Sequence, residues 1–204
     1  MIRAIFFDFD GVLTKNKSGF ENTCKNMSKM TSISFERISS AYGIYKDDLN
    51  KGLISIEDFW RNFCEGLGRK LDIRILFRAF SETEINEPIL GLMKNLKKRY
   101  KVGIISNNPK ERVELILKGN DMDDFFDGIF LSWMMKSLKP ERQIFDFALK
   151  SFGLKPKEAV FIDNKGKYAE AARGYGMAGI HFDDEKNDVE KLKEDLKKAG
   201  VELI

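Results

Sequence analysis

The chain opens Met1-Ile-Arg-Ala-Ile-Phe-Phe-Asp8-Phe-Asp10-Gly11-Val-Leu-Thr14, an apolar run that ends in two acids two residues apart. Residues 2–7 are short, largely apolar and rich in Ile and Phe. A run without polar alternation suits a strand covered on both faces, as in a parallel sheet. Asp8 and Asp10 fall at its carboxyl end. Side chains alternate along a strand, so positions two apart point to one side, and the carboxyl ends of such strands are where open α/β sheets bind ligands. Gly11 lets the backbone turn and approach a ligand closely. A lone Asp-Gly would fit an ordinary Asx turn. Two acids behind an apolar run point instead to a site.

The 204 residues can bury a sizeable core, either as one domain or as a core carrying an insertion. Lys and Arg number 35 against 32 acids, a net charge of +3 too small to argue for nucleic acid or a membrane surface. The only cysteines, Cys24 and Cys64, lack CxxC spacing, which argues against a disulfide framework. The first apolar run breaks at Asp8, against a signal peptide, and no stretch approaches the ~20 apolar residues of a membrane span. The expectation is a cytoplasmic protein with no nucleic-acid or membrane partner. Its oligomeric state leaves no mark in the sequence.

Residues 15–85 carry helical periodicity alone. Ile38, Ala41, Tyr42, Tyr45 and Leu49 recur at helical spacing, as do Ile56, Phe59, Trp60, Phe63 and Leu67. Ser55 with Asp58 resembles a capping box, Gly66 and Gly68 suit the following helix end, and Asp72 precedes Ile73, Leu76, Phe77 and Phe80. With a weaker segment over 20–30, this makes about four short helices. Tyr42, Tyr45 and Trp60 read as core of that group rather than as a stacking surface.

From Pro88 the pattern becomes strand and helix in turn. Helices are expected from Pro88 to Tyr100, from Pro109, from Pro140, over 167–174 and from Glu185; strands are expected at 102–105, 128–131, 159–162 and 178–182. That alternation predicts an α/β fold, a Rossmann-like parallel sheet with helices on both faces and an inserted α-helical cap. The expected division is a core of 1–14 and 86–204 with a cap of 15–85, hinged at 16–19 and 81–88.

Three more strand ends carry polar residues. Ser106-Asn107-Asn108-Pro109-Lys110-Glu111 follows the second strand, with Asn108 as expected cap, Pro109 as first helical residue and Glu111 at capping-box spacing. Ser106 and free N–H groups at a helix start suit phosphate. Lys139-Pro140 follows the third strand and sets a fixed positive charge near the acids. The fourth strand ends in Asp163-Asn164, two hard oxygen donors of the kind that hold Mg²⁺.

These four segments, DFDGVLT, Ser106-Asn107, KPERQIF and FIDNKGKYAEAARGYGM, resemble in order and spacing the motifs of the haloacid dehalogenase superfamily, across the whole core. The insertion after the first motif resembles the small α-helical cap of its phosphatase branch. Phe130-Leu-Ser132 ahead of Lys139 is similar to sugar-phosphate phosphatases and the phosphatase domain of soluble epoxide hydrolase. The resemblance implies a phosphatase acting on a small phosphorylated metabolite with Mg²⁺ as cofactor. Asp8, Asp10 and Lys139 would be catalytic. Asp8 is implied as nucleophile, forming an aspartyl-phosphate, and Asp10 as acid and then base, its pKa raised by crowding acids. Ser106, Asn107, Lys139 and Gly11 are implied to bind phosphate. The metal would sit on Asp8, the Asp10 main-chain carbonyl, Asp163 and Asn164.

One departure stands out. Related sequences usually carry an acid where this chain has Asn164, and an amide carbonyl can ligate Mg²⁺ but adds no charge, so the ligand is Asn164 or Asp163. On that reading Asn164→Asp tightens Mg²⁺ by about tenfold. Rival readings are a 2-haloacid dehalogenase, for which a second acid at Asp10 has no use, a phosphomutase, which shares these residues, and a catalytically weak regulatory or binding homologue. The lone histidine, His181, reads as structural.

Overall fold

A computed structural model of the chain describes residues 1–203. The Ile- and Phe-rich run forms β1 (Ala4–Phe7), buried at all four residues. It lies at the centre of one parallel sheet with β2 (Lys101–Ser106), β3 (Gly128–Leu131), β4 (Ala159–Asp163) and β5 (Ala178–His181), in the order β3-β2-β1-β4-β5. Ile5 pairs with Val102 on one side and Val160 on the other, so β1 gives its backbone to two neighbours and its side chains to two apolar layers.

Those layers separate by alternation. Ile5 and Phe7 join a cluster with Leu92 and Met93 of α5 (Glu87–Leu96), Ile116 of α6 (Lys110–Gly119) and Leu196 of α10 (Val189–Lys198). Ala4 and Phe6 join the opposite cluster with Phe145 and Leu149 of α8 (Arg142–Phe152) and Ala172 of α9 (Gly166–Gly174). Phe6 stacks on Phe152 at 5.2 Å and meets Phe130 edge-on at 5.9 Å. Burying one such ring contributes about 1.5–3 kcal/mol.

Between β1 and β2 the chain runs through α1 (Gly19–Thr31), α2 (Phe35–Asn50), α3 (Ile56–Leu67) and α4 (Arg74–Ser81). The Ser55 hydroxyl accepts from Asp58 N at 3.0 Å, and Gly68 closes α3 in the left-handed region at φ 67°. Met27, Ile38, Tyr42, Phe59, Trp60 and Phe63 bury together in a cluster of their own, with Tyr45 partly buried against it. The three aromatics read as core are therefore packed. The chain leaves and returns side by side: Lys15 N donates to Glu84 O at 2.9 Å and Asn86 N to Leu13 O at 2.8 Å. Leu115 of α6 packs on the helical cluster, so the four helices rest on the core's own helix.

Three helix starts lie later than the sequence predicts. The helix expected from Pro109 begins at Lys110, because Pro109 is extended at ψ 149° and Asn108 spends its side chain elsewhere. The helix expected from Pro140 begins at Arg142, after a turn in which Glu141 N donates to Leu138 O at 2.8 Å; the Lys139–Pro140 peptide is cis. The helix expected from Glu185 begins at Val189. Asp183 first accepts from Glu185 N and Lys186 N, making a turn, and Asp188 then caps α10 by accepting from Lys191 N at 2.9 Å. A short helix α7 (Ser132–Met135) and a 3₁₀ turn at Pro156–Glu158 were not legible in the periodicity. Among the described residues no helix is long and apolar enough to cross a membrane, and both cysteines are free.

Candidate active site

The sheet order changes direction beside β1. The chain builds outward through β2 and β3, then returns to place β4 on the other side of β1, and ligands bind at such switch points beyond the carboxyl ends of the strands. Asp8 and Asp10 follow β1, Ser106 ends β2 with Asn107 and Asn108 behind it, Lys139 arrives after β3 and Asp163 ends β4. The structure brings all the predicted strand ends to one place.

Asp8 Oδ1 accepts from Phe9 N at 2.7 Å, Ser106 Oγ at 2.9 Å and Lys139 Nζ at 2.8 Å. Among the described residues nothing donates to its Oδ2, and Asp8 lines a cleft of about 380 Å³. One oxygen is thus fixed and the other is presented. Lys139 also reaches Asp163 Oδ2 at 2.6 Å, and Lys139 is only 3% exposed. Burial works against its ammonium, yet Asp163 and Asp8 outweigh burial and hold its pKa above the ordinary lysine value. Burial, then the charge of Asp8, push Asp163 up to about 7 against the pull of Lys139. One cation serves two buried carboxylates, so the pull of Lys139 does not offset burial and the repulsion of Asp8. Tyr168, whose ring centre lies 5.1 Å from Lys139 Nζ, supports that ammonium with its face.

Asp10 has a partner that sequence reading missed. Arg112, on α6 and 1% exposed, donates to Asp10 Oδ1 at 2.8 Å and Oδ2 at 3.0 Å, a bidentate pair. Asn108 Nδ2 donates to Asp10 Oδ2 at 2.8 Å and its Oδ1 accepts from Arg112 at 2.8 Å. Asn108 therefore belongs to the site and does not cap α6. The charge next to Asp10 is a guanidinium, not the crowd of acids expected there. Gly19 closes over this pair: a Cβ at that position would lie 2.5 Å from Asp10 Oδ2 and 2.6 Å from Arg112 Cζ. The first residue of α1 thus sits directly on the Asp10–Arg112 pair. Composition does not single out Arg112 among 35 basic residues. The one available signal was its place one turn after Asn108, facing back toward the strand end.

Around the phosphate-type donors, Asn107 exchanges hydrogen bonds with the Lys139 backbone, accepting from its N at 2.8 Å and donating to its O at 3.2 Å. Its side chain fixes Lys139, leaving main-chain groups for a ligand. Gly11, in the left-handed region at φ +75°, is covered by Asn164, and a Cβ there would stand 2.2 Å from Asn164 Nδ2. His181 Nε2–H donates to Asn164 O at 3.0 Å.

The donor set suits a hard divalent cation. No group of three or more His, Cys, Asp or Glu side chains converges among the described residues, so carbonyl oxygens must complete any metal shell. Asn164 Oδ1 is buried with no hydrogen-bond partner, whereas Asp163 Oδ1 accepts from Lys165 N at 2.8 Å and its Oδ2 from Lys139. Asn164 directly follows Asp163 at the end of β4, and its uncommitted amide oxygen is a donor of the kind a hard divalent cation accepts. The open side of the cleft carries Phe20, Tyr42, Lys46, Asp47 and Asn50 from the helical insertion.

A family model described as a haloacid dehalogenase-like hydrolase matches residues 2–176. The D-ribitol-5-phosphate phosphatase of Bacteroides thetaiotaomicron is 27% identical over 177 residues, covering 80% of this chain and 84% of that protein. The glyceraldehyde 3-phosphate phosphatase of Pyrococcus furiosus is 30% identical over 206 residues, covering 89% of this chain and 80% of that protein. The fold is similar to the crystal structure of a haloacid dehalogenase family enzyme from Bacteroides thetaiotaomicron in complex with magnesium and inorganic phosphate. There the TM-score is 0.74 at 25% identity, covering 89% of this chain and 94% of that one.

Proposed function

The chain belongs to the haloacid dehalogenase-like hydrolases, and we propose that within that family it is a Mg²⁺-dependent phosphatase acting on a small sugar or polyol phosphate. One observation carries the reading: Asp8 holds Oδ1 on three donors and presents an unbonded Oδ2 to a cleft that also contains the Asp10 carboxylate.

On this reading Asp8 Oδ2 bonds to phosphorus as the bond from phosphorus to the leaving alcohol breaks, and the alcohol oxygen takes a proton from Asp10. Water then bonds to the phosphorus of phospho-Asp8 while Asp10 accepts its proton. The Asp8–phosphorus bond breaks and inorganic phosphate leaves. Carrying a proton on Asp10 requires the Arg112 pair to loosen at one oxygen, so Arg112 positions Asp10 between turnovers. Lys139 and the main chain at Ser106–Asn107 counter the phosphoryl charge. Mg²⁺, held by Asp8, the Asp10 carbonyl and Asn164 Oδ1, would offset the negative charge that nucleophile and substrate bring together.

The substrate class rests on the cleft and on the relatives. Lys46, Asp47 and Asn50 offer a hydroxylated leaving group both donors and acceptors, and the two similar curated proteins are named for five- and three-carbon phosphates. Residues 15–85 serve as the cap over a core of 1–14 and 86–204, excluding water when closed. Free Cys24 and Cys64 accord with a reducing, cytoplasmic setting. The dehalogenase alternative leaves Asp10 without work.

The test is phosphate release from p-nitrophenyl phosphate and a panel of three- to six-carbon phosphates, with and without Mg²⁺, beside chloride release from 2-chloropropionate. Mg²⁺-dependent phosphate release without chloride is the expected result. Chloride release, or silence across the phosphate panel, overturns the reading. Transfer of phosphate within a sugar, without release, would make the chain a phosphomutase.

A further inference from the structure

We propose that Asp184, in the turn between β5 and α10, is a positioning residue for the cation site: it holds the Asn164 amide so that oxygen, not nitrogen, faces the metal. The proposal rests on the Mg²⁺-dependent reading above and concerns how this chain manages with a neutral residue at position 164.

The two ends of a carboxamide have nearly the same shape, so packing alone does not decide which faces inward. Hydrogen bonding does. Asn164 Nδ2 donates to Lys17 O at 3.2 Å and to Asp184 Oδ2 at 3.2 Å. A main-chain carbonyl accepts only, and so does a carboxylate, which means the NH₂ must be the end that meets them. Oδ1 is consequently turned the other way, where it is buried and has no partner within the protein. A buried, unpartnered acceptor is costly in a folded chain. A cation at this site supplies the missing partner.

The surroundings hold the rest of the residue. The side chain lies over Gly11, where a Cβ would come within 2.6 Å of its Cγ, and His181 anchors its main-chain oxygen. Only rotation of the amide end remains free, and Lys17 O and Asp184 are what oppose it. Asp184 is half-buried and lies 20 residues along the chain from Asn164. Outer residues that orient a metal ligand typically cost 10–100-fold in metal affinity when removed.

This arrangement reverses the simple expectation for Asn164→Asp. An acid at position 164 would set a carboxylate oxygen against Asp184 Oδ2 and Lys17 O, three acceptors with no proton among them. The added attraction for the cation is then spent on repulsion with Asp184. Exchanging the pair, Asn164→Asp with Asp184→Asn, puts the donor on residue 184 and restores the contact with a charged ligand facing inward.

Titration calorimetry of Mg²⁺ into the metal-free full-length protein tests this without relying on turnover, with circular dichroism and melting in chelator as the control for folding. Asp184→Ala should weaken Mg²⁺ binding about tenfold, while Asp184→Asn, which keeps an oxygen acceptor, should lie nearer to wild type than to Asp184→Ala. Asn164→Asp alone should bind no tighter than wild type, and the exchanged pair tighter than Asn164→Asp. Wild-type affinity in a folded Asp184→Ala protein overturns the proposal, as does an Asn164→Asp protein that gains affinity with no further gain on exchange. If wild type binds no Mg²⁺ at all, the metal-dependent reading fails first and this proposal with it.

Discussion

Arg112→Met tests the electrostatics of the site most directly, because it removes one member of a buried ion pair at similar side-chain length. Arg112 is 1% exposed and gives Asp10 two hydrogen bonds at 2.8 and 3.0 Å. Breaking a buried pair by deleting one partner costs about 3–5 kcal/mol, chiefly because the other charge is left uncompensated. Here Asn108 still donates to Asp10 at 2.8 Å and Asp10 keeps 9% of its surface, which favours the lower end. At about 2–4 °C per kcal/mol for a chain of this size, about 3 kcal/mol lowers the melting temperature by roughly 6–12 °C. The double variant Arg112→Met with Asp10→Asn removes both charges and should recover part of that loss, so a double-mutant cycle by urea unfolding should show coupling above about 0.5 kcal/mol. An Arg112→Met protein melting within about 2 °C of wild type, or a cycle that adds within error, would show that the buried pair does not hold the fold together.

Asp8→Asn should abolish turnover while leaving the fold intact; a near-normal rate in the folded variant would exclude the covalent route. Asp10→Asn should spare nitrophenolate, which departs without a proton, and fail with sugar alcohols. Phospho-Asp8 should then accumulate at a mass detectable in the intact protein, and equal losses on both substrates with no adduct would exclude the acid–base role. Asp163 gives a pH dependence whose sign is set by its raised value of about 7 against 3.8 when unperturbed. The folded metal-free protein binds the extra proton between those values, so wild type should lose stability relative to Asp163→Asn as pH rises from about 4 to about 7, then level off; a flat difference in urea midpoints would contradict this. Excising residues 17–83 with a short Gly/Ser bridge should leave a folded core, because Lys15 N and Glu84 O are already 2.9 Å apart. That core should hydrolyse aryl phosphates slowly and lose discrimination among metabolites, and absence of a cooperative melt would show the boundary to be misplaced.

The parts of this molecule legible in the sequence are those whose information is local. A strand buried on both faces writes itself as an apolar run, which is why β1, β2 and β4 lie within a residue or two of expectation. Amphipathic helices write their period, as Ile56, Phe59, Trp60 and Phe63 do on α3. Helix starts were harder, since Asn108 and Pro109 look like a cap until the fold brings Asp10 and Arg112 within reach of the Asn108 side chain. The acids at strand ends could be found because a parallel sheet gathers its carboxyl edges in one place, whatever the distance along the chain. Arg112 and Asp184 follow no such rule. Each acts on a residue near or far in sequence through a side chain that resembles many others of its kind, and its meaning appears only once a partner is buried beside it. Asn164 shows the difference most sharply: read alone it is a lost negative charge, but beside Asp184 the charge sits one hydrogen bond further out. What looked like a weakened ligand is then an oriented one, and a substitution meant to repair it should instead disturb it.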